Sequence, residues 1–236
     1  MQNQNNMKKY FFFLTFPFLF IGAGYFPRTS SMPGDPVKEA KIIYDIDLSS
    51  SDMDQMVKDM MAGSTLTISF KDRWVKTVMN MNVSNTAVIM DGATDKGLML
   101  MEMMTMKMAI RLEKDDIITR TGGDQEQDRV EYFEETKTIA GYVCKKSKVT
   151  DSEGNSSVYW YSDQIMPGNR KTQFSHGKLN GFPLEMQLDV DGMTMKMTAK
   201  EVKTGSLPAD EFSMAIPAGY KESTMEDLMQ MGGMGR

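Results

Sequence analysis

Apolar residues recur at every second position through most of this chain. Ala40, Ile42, Tyr44, Ile46 and Leu48 set the pattern, and Leu66, Ile68 and Phe70 then alternate with Thr65, Thr67 and Ser69. Val75, Thr77, Met79, Met81 and Val83 follow, and then Thr86 to Met90. After the turn Asp91–Gly97, alternate positions are taken by Met99, Met101 and Met103, and later by Met106, Met108 and Ile110. Successive strand side chains point to opposite faces, so this period of two describes strands with one buried face. A mainly β domain follows.

The most explicit segment is Pro183 to Lys203. Val190-Asp191-Gly192-Met193 fits a two-residue hairpin, because Asp-Gly tolerates the positive φ angles of a tight turn. That turn sets Val190 against Met193, Leu188 against Met195, Met186 against Met197 and Leu184 against Ala199. The other surface pairs Asp189 with Thr194, Gln187 with Lys196 and Glu185 with Thr198. One side is apolar and the other polar, and a slip of one residue would reverse every side chain.

One segment breaks the period. Met53, Met56, Val57, Met60 and Met61 have helical spacing. Ser50 or Ser51 suits the N-cap, Asp52 and Asp54 suit the N-terminal dipole, and Gly63 suits the end. An amphipathic helix over about 51–62, packed on a sheet face, is expected. Residues 113–130 are charged, contain Gly122-Gly123 and read as an exposed loop. Strands return at Gly141 to Val149 and Ser157 to Tyr161, and residues 162–181 are irregular. Pro208 to Phe212 suits one helical turn, and Ser223-Thr224-Met225-Glu226 resembles a capping box opening a short C-terminal helix.

The N-terminus has the three parts of an export signal. Lys8 and Lys9 precede an apolar run from Tyr10 to Ile21, and Gly22-Ala23-Gly24 supplies small residues for cleavage. The run contains Pro17 and is shorter than the roughly 18–20 residues of a spanning helix. With no cysteine after it, the released protein is expected to be soluble in the periplasm, without a lipid anchor or stable membrane insertion. The division expected is 1–24 signal peptide, 25–37 a Pro- and Ser-containing linker, 38–222 the β domain and 223–236 a short helix and tail. Removing residues 1–24 shifts the formal charge from -5 to -7. That balance argues against nucleic acid, which rewards clustered Lys and Arg.

Catalytic patterns are lacking. Cys144 is the one cysteine and reads as a buried small hydrophobe, so no internal disulfide supports the fold. His176 is the one histidine, next to Gly177, with no Cys or acid at ligand spacing. Asp115-Asp116 and Glu134-Glu135 are neighbours that point apart on a strand. There is no nucleophile elbow, Walker loop, zinc pattern or dinucleotide fingerprint. No enzyme, catalytic residue, metal site or cofactor is expected.

The 26 methionines carry the functional signal, and three readings stay open. They fill a core; or, being unbranched and polarizable, they form a groove that repacks around flexible apolar ligands such as acyl chains. The third reading takes Met101-Glu102-Met103, Met106-Lys107-Met108 and Met193 to Met197 as thioether collections for Cu(I), a soft ion.

Several segments also resemble a known family. They are Glu135 to Lys146, Tyr159 to Asp163, Gly181 to Glu185, Met195 to Val202 and Phe212 to Tyr220, in that order and spacing. Together they resemble the DUF4412 family, exported proteins similar to the lipoprotein carriers LolA and LolB. The resemblance implies a curved antiparallel sheet forming an unclosed half-barrel, with helices over the concave side. The carriers hold lipoprotein acyl chains there. The expected function is thus a periplasmic LolA/LolB-like module carrying a lipid, a lipoprotein acyl chain or another apolar ligand. The alternatives are a Met-based Cu(I) binder and a structural envelope protein with a filled core. The expected apolar groove is lined by Met56, Met60, Met79, Met81, Met101, Met186, Met195 and Met197, with the early helix on the concave face.

Overall fold

Twelve strands form from the alternating segments, in one sheet. The computed structural model describes residues 35–49, 62–116, 128–152, 154–170, 176–190 and 193–232. The amphipathic segment expected over 51–62 lies outside them except for its last residue. The strands are β1 (Glu39–Ser49), β2 (Thr65–Lys71), β3 (Trp74–Met81), β4 (Ser84–Asp91), β5 (Lys96–Met103), β6 (Met106–Leu112), β7 (Arg129–Ile139), β8 (Tyr142–Thr150), β9 (Ser156–Ser162), β10 (Phe182–Val190), β11 (Met193–Thr204) and β12 (Lys221–Ser223). A single 3-10 turn spans Ala209–Phe212, and a helix, α1, spans Met225–Gly232.

The strand order is β12-β6-β5-β4-β3-β2-β1-β11-β10-β9-β8-β7, so β12 and β7 are free edges and the sheet does not close. Neighbours are antiparallel except β12, which runs parallel to β6. The β10–β11 register matches the hairpin expectation from Glu185–Thr198 to Val190–Met193. The half-barrel expectation holds: a curved, unclosed, mainly β sheet.

Distances across the sheet show how far it curls. The Phe70 and Phe182 rings, on β2 and β10, lie 5.4 Å apart. Three strand spacings would hold them about 14 Å apart on a flat sheet. Cα atoms of β7 and β11, four places apart in the order, approach within 8 Å. Register shifts at Ile43/Tyr44, Tyr132/Thr136 and Pro183/Glu185 mark bulges, which bend a strand and increase its twist. The Tyr44 hydroxyl donates to the Pro183 carbonyl at 2.7 Å, tying β1 to β10 across β11.

Pairing registers link into rows across the inner face. One row runs Val202, Ile42, Ile68, Thr77, Val88, Met99 and Ile110. The next runs Ala199, Tyr44, Leu66, Met79, Thr86, Met101 and Met108. A third contains Met186, Met197 and Ile46 at one side, and Met81, Ser84, Met103 and Met106 at the other. No charged residue falls in these rows.

Two covers close parts of this face. Residues 163–170 and 176–181 lie at one end of the sheet, where Val37 bridges Ile165. Gly168 sits so close to Asp72 that an added Cβ would lie 2.3 Å from its carbonyl oxygen. Ile165 and Leu179 join the main core beside Tyr159, Tyr161 and Phe182. His176 fastens the return of this stretch: its Nε2 lies 2.9 Å from Asp128 Oδ2, and its Nδ1 accepts from the Lys178 N–H. With Nδ1 accepting, the imidazole proton sits on Nε2 and donates to the carboxylate. At the other side, Met225 and Leu228 of α1 pack on Val88, Met90, Met99, Ile110 and Leu112.

α1 reaches the inner face by a strap over the outer one. After β11 the chain passes Lys71, whose ammonium donates to the Leu207 carbonyl, and Glu39, which accepts from the Leu207 N–H. That backbone bond, with Lys71, holds the Glu39 carboxyl below its usual range. Glu211 then pairs with Lys41 at 2.9 Å and accepts from Ser69. Tyr220 donates to Glu102 at 2.7 Å, β12 pairs with the edge of β6, and the chain rounds that edge into α1. Ile89, Leu98 and Ala109 point outward yet are buried on the side the strap crosses. This explains consecutive apolar residues such as Val88-Ile89-Met90, because these strands are covered on both faces.

Two elements were not visible in the sequence. β7 is charged and exposed along most of its length, and β12 is three residues long.

Replacing Tyr44 by Phe tests the cross-sheet tie. Loss of one buried hydrogen bond that leaves a carbonyl without its donor is expected to cost about 1–2 kcal/mol. Urea denaturation measures it, with an unchanged midpoint as the contrary result.

Candidate functional site

The inner face is apolar throughout its rows but not uniformly buried. Met186 and Met197, paired across β10 and β11, are fully buried, as are Tyr44 and Leu66. Ile46, Leu48, Met79, Met81, Met101, Leu188 and Met195 are half-buried. All lie toward the end of the sheet opposite the Asp163–Gly181 cover. There β1 ends and β2 begins, and the turns Asn82-Val83 and Met104-Thr105 stand.

The expected lining residues therefore separate. Met195 lies between Leu188 and Leu48, next to the buried Met186–Met197 pair. Met79 lies between Leu66 and Thr86, with Met81 two residues on. Met101 lies in Met79's row, opposite Met108. Three strand steps, about 14 Å on a flat sheet, separate Met197 from Met81, with Ile46 between them. Met56 and Met60 lie outside the described residues.

The chain between β1 and β2 leaves and rejoins the sheet at this same end. Gly63 has φ 75°, a left-handed conformation that glycine adopts without strain, and the Ala62 carbonyl accepts from the Asn82 amide in the β3–β4 turn. Ser64 and Thr77 are buried among apolar neighbours on the inner side, and their hydroxyls have no hydrogen-bond partner among the described residues. Apolar alternation located the inner face, but no sequence signal separated residues sealed by the covers from those beyond them.

A second concavity lies at the β6 edge. A cleft of about 570 Å³ is lined by Met106, Lys107, Met108, Lys221, Asp227 and Gln230, among others. Asp227 Oδ2 accepts from the Thr224 N–H and the Ser223 hydroxyl, and the hydrogen bonds to Thr224 and Ser223 hold its carboxyl below the usual range.

Among the described residues no group of three or more His, Cys, Asp or Glu is placed to hold a metal ion. Cys144 is buried, and burial pushes its thiol up to about 11. Glu185, half-ringed by cations, binds Lys137 at 2.7 Å beneath Trp160, with the ammonium 4.2 Å from the ring centroid. Among the described residues no helix is long and apolar enough to cross a membrane.

An unclosed, curved antiparallel sheet with an apolar inner face defines the class. The chain belongs to the family described as Domain of unknown function (DUF4412), whose model matches residues 52–220. No curated protein matches it at a significant level. Among solved structures it is similar to PNGF-II, at 12% identity and a TM-score of 0.49, over 82% of this chain and 33% of that one. It is also similar to lipoprotein LppX of Mycobacterium tuberculosis, at 8% identity and a TM-score of 0.37, over 71% of this chain and 88% of that one. A third is MucB, at 11% identity and a TM-score of 0.40, over 75% and 57% respectively. The chain thus spans about a third of the length of PNGF-II.

Two substitutions separate core from groove. Met197→Ala, at a fully buried site, is expected to cost about 2–5 kcal/mol. Met81→Ala, half-buried near the sheet end, is expected to cost about 1 kcal/mol. Equal losses in denaturant titrations would show one uniform core. Cys144, held protonated at neutral pH, is expected to stay unreactive toward a disulfide reagent until the protein unfolds.

Proposed function

We propose that this chain is an exported periplasmic binding module that holds an apolar ligand, a lipid or a lipoprotein acyl chain, against the inner face of its sheet. The observation that carries this reading is the run of half-buried Ile46, Leu48, Met79, Met81, Met101, Leu188 and Met195 at one end of a face with no charged residue in its rows. Unbranched, polarizable side chains repack around flexible chains, whereas branched ones fix a single shape. The absence of charge in these rows suits hydrocarbon inside and any ionised headgroup outside, since an unpaired buried charge is costly.

The likeness of the DUF4412 segments to lipoprotein carriers supports the same reading. So does the N-terminal pattern of Lys8-Lys9, apolar run and Gly22-Ala23-Gly24, which suits export. On this reading the chain binds and does not catalyse.

The test uses protein purified from its own envelope without detergent. Native mass spectrometry and solvent extraction are expected to find co-purifying lipid, and a fluorescent fatty acid is expected to bind and be displaced by it. Met79→Glu with Met195→Glu places charge at half-buried positions and is expected to reduce that binding at least tenfold while circular dichroism is unchanged. No lipid and no probe binding would favour the alternative of a structural envelope protein with a filled core.

A further inference from the structure

Four methionines occupy neighbouring register positions at one corner of the inner face. In the β5–β6 hairpin Met101 lies opposite Met108, and Met103 lies opposite Met106. Directly opposite residues have Cβ atoms about 4.5–5.5 Å apart, and residues two apart on a strand are about 7 Å apart. The four side chains therefore spring from a patch of about 5 by 7 Å. Each has three rotatable bonds before its methyl group, enough to turn several sulfurs toward one point.

Packing explains only half of this array. Met108 is 7% exposed, but Met103 is 40% and Met106 43% exposed. At exposed strand positions β-branched or polar residues fit a pleated surface better than methionine. The cleft of about 570 Å³ is lined by Met106 and Met108, of which Met106 is open to solvent.

The surroundings select the ligand. Glu102 and Lys107 point to the opposite face and pair with each other at 2.8 Å. The one carboxylate lining the cleft is that of Asp227, whose Oδ2 accepts from the Ser223 hydroxyl and the Thr224 N–H. Hard cations need oxygen ligands and zinc favours thiolate, imidazole or carboxylate, whereas neutral thioethers suit soft ions. The geometry points to Met101, Met103, Met106 and Met108 as a binding site for one soft monovalent cation, Cu(I) or Ag(I). Met101 is shared with the half-buried apolar run, whereas Met103 and Met106 lie outside it, so variants at those two positions test the ion site separately from apolar binding.

The experiment is an anaerobic titration of the full chain with Cu(I) against bicinchoninate, repeated with Ag(I) by native mass spectrometry. One ion per chain is expected, with sulfur-only coordination in X-ray absorption. Met103→Leu combined with Met106→Leu conserves volume, and is expected to weaken binding at least tenfold with an unchanged circular dichroism spectrum. Met104→Leu, in the turn and 91% exposed, is expected to leave binding unchanged and so separates the array from exposed thioethers in general. No ion withdrawn from the chelator, nitrogen or oxygen coordination, or an equal loss from Met104→Leu would overturn the site.

Discussion

A sheet that curls without closing leaves a problem that every other part of this molecule answers. It has two edges with unpaired backbone groups and an inner face whose apolar rows must be kept from water. Here the edges are β7 and β12, and the inner face runs across β1–β6, β10 and β11. The Asp163–Gly181 stretch seals one end through Ile165 and Leu179, held by the His176–Asp128 contact. The strap after β11 deals with the other side. It covers outward-facing Ile89 and Leu98, adds β12 to the β6 edge, and delivers α1 to the inner face. One segment thus serves both faces and an edge, by polar contacts on the outside and apolar ones within. β7 handles its edge by exposure, charge and a bulge, features that discourage pairing with another chain.

What the sequence made legible follows from that arrangement. Where one face is buried and the other wet, alternation is clean, and the β10–β11 register could be read residue by residue from an Asp-Gly turn. Where both faces are covered, as at Val88-Ile89-Met90, alternation blurs into an apolar run. β7 escaped notice for the opposite reason. Residues such as Glu131, Glu134 and Glu135 on an exposed edge carry no hydrophobic period, and only pairing with β8 makes the segment a strand. β12 is fixed by a contact with β6 more than a hundred residues distant in sequence, which local pattern does not encode.

The candidate groove was half legible for a related reason. Alternation placed Met79, Met81, Met101, Met186, Met195 and Met197 on one face, and the registers put them there. It did not show that Met186 and Met197 are sealed while Met81 and Met195 are half-open. That difference depends on how far the covers extend, and the covers come from segments with no period of their own. A methionine on a strand therefore reads the same in sequence whether it is core, groove or ligand.

The same side chain can hold these different roles because its properties are graded by exposure. Deep in the rows, Met99 contributes polarizable bulk against Val88 and Ile110, and leucine would serve nearly as well. Halfway out, flexibility matters, since a half-covered surface that must accept chains of variable shape gains from side chains with many rotamers. At the hairpin tip, apolar burial falls away while the sulfur remains, and what distinguishes Met103 and Met106 from leucine is a soft donor facing water. The gradient runs along a single strand, β5, from Met99 through Met101 to Met103. It is set by distance from α1 and the end cover rather than by any change in the residues themselves. Rows that mix Met with Val, Ile, Leu, Tyr and Thr can in this way grade from sealed to exposed without any boundary in the sequence to mark the change.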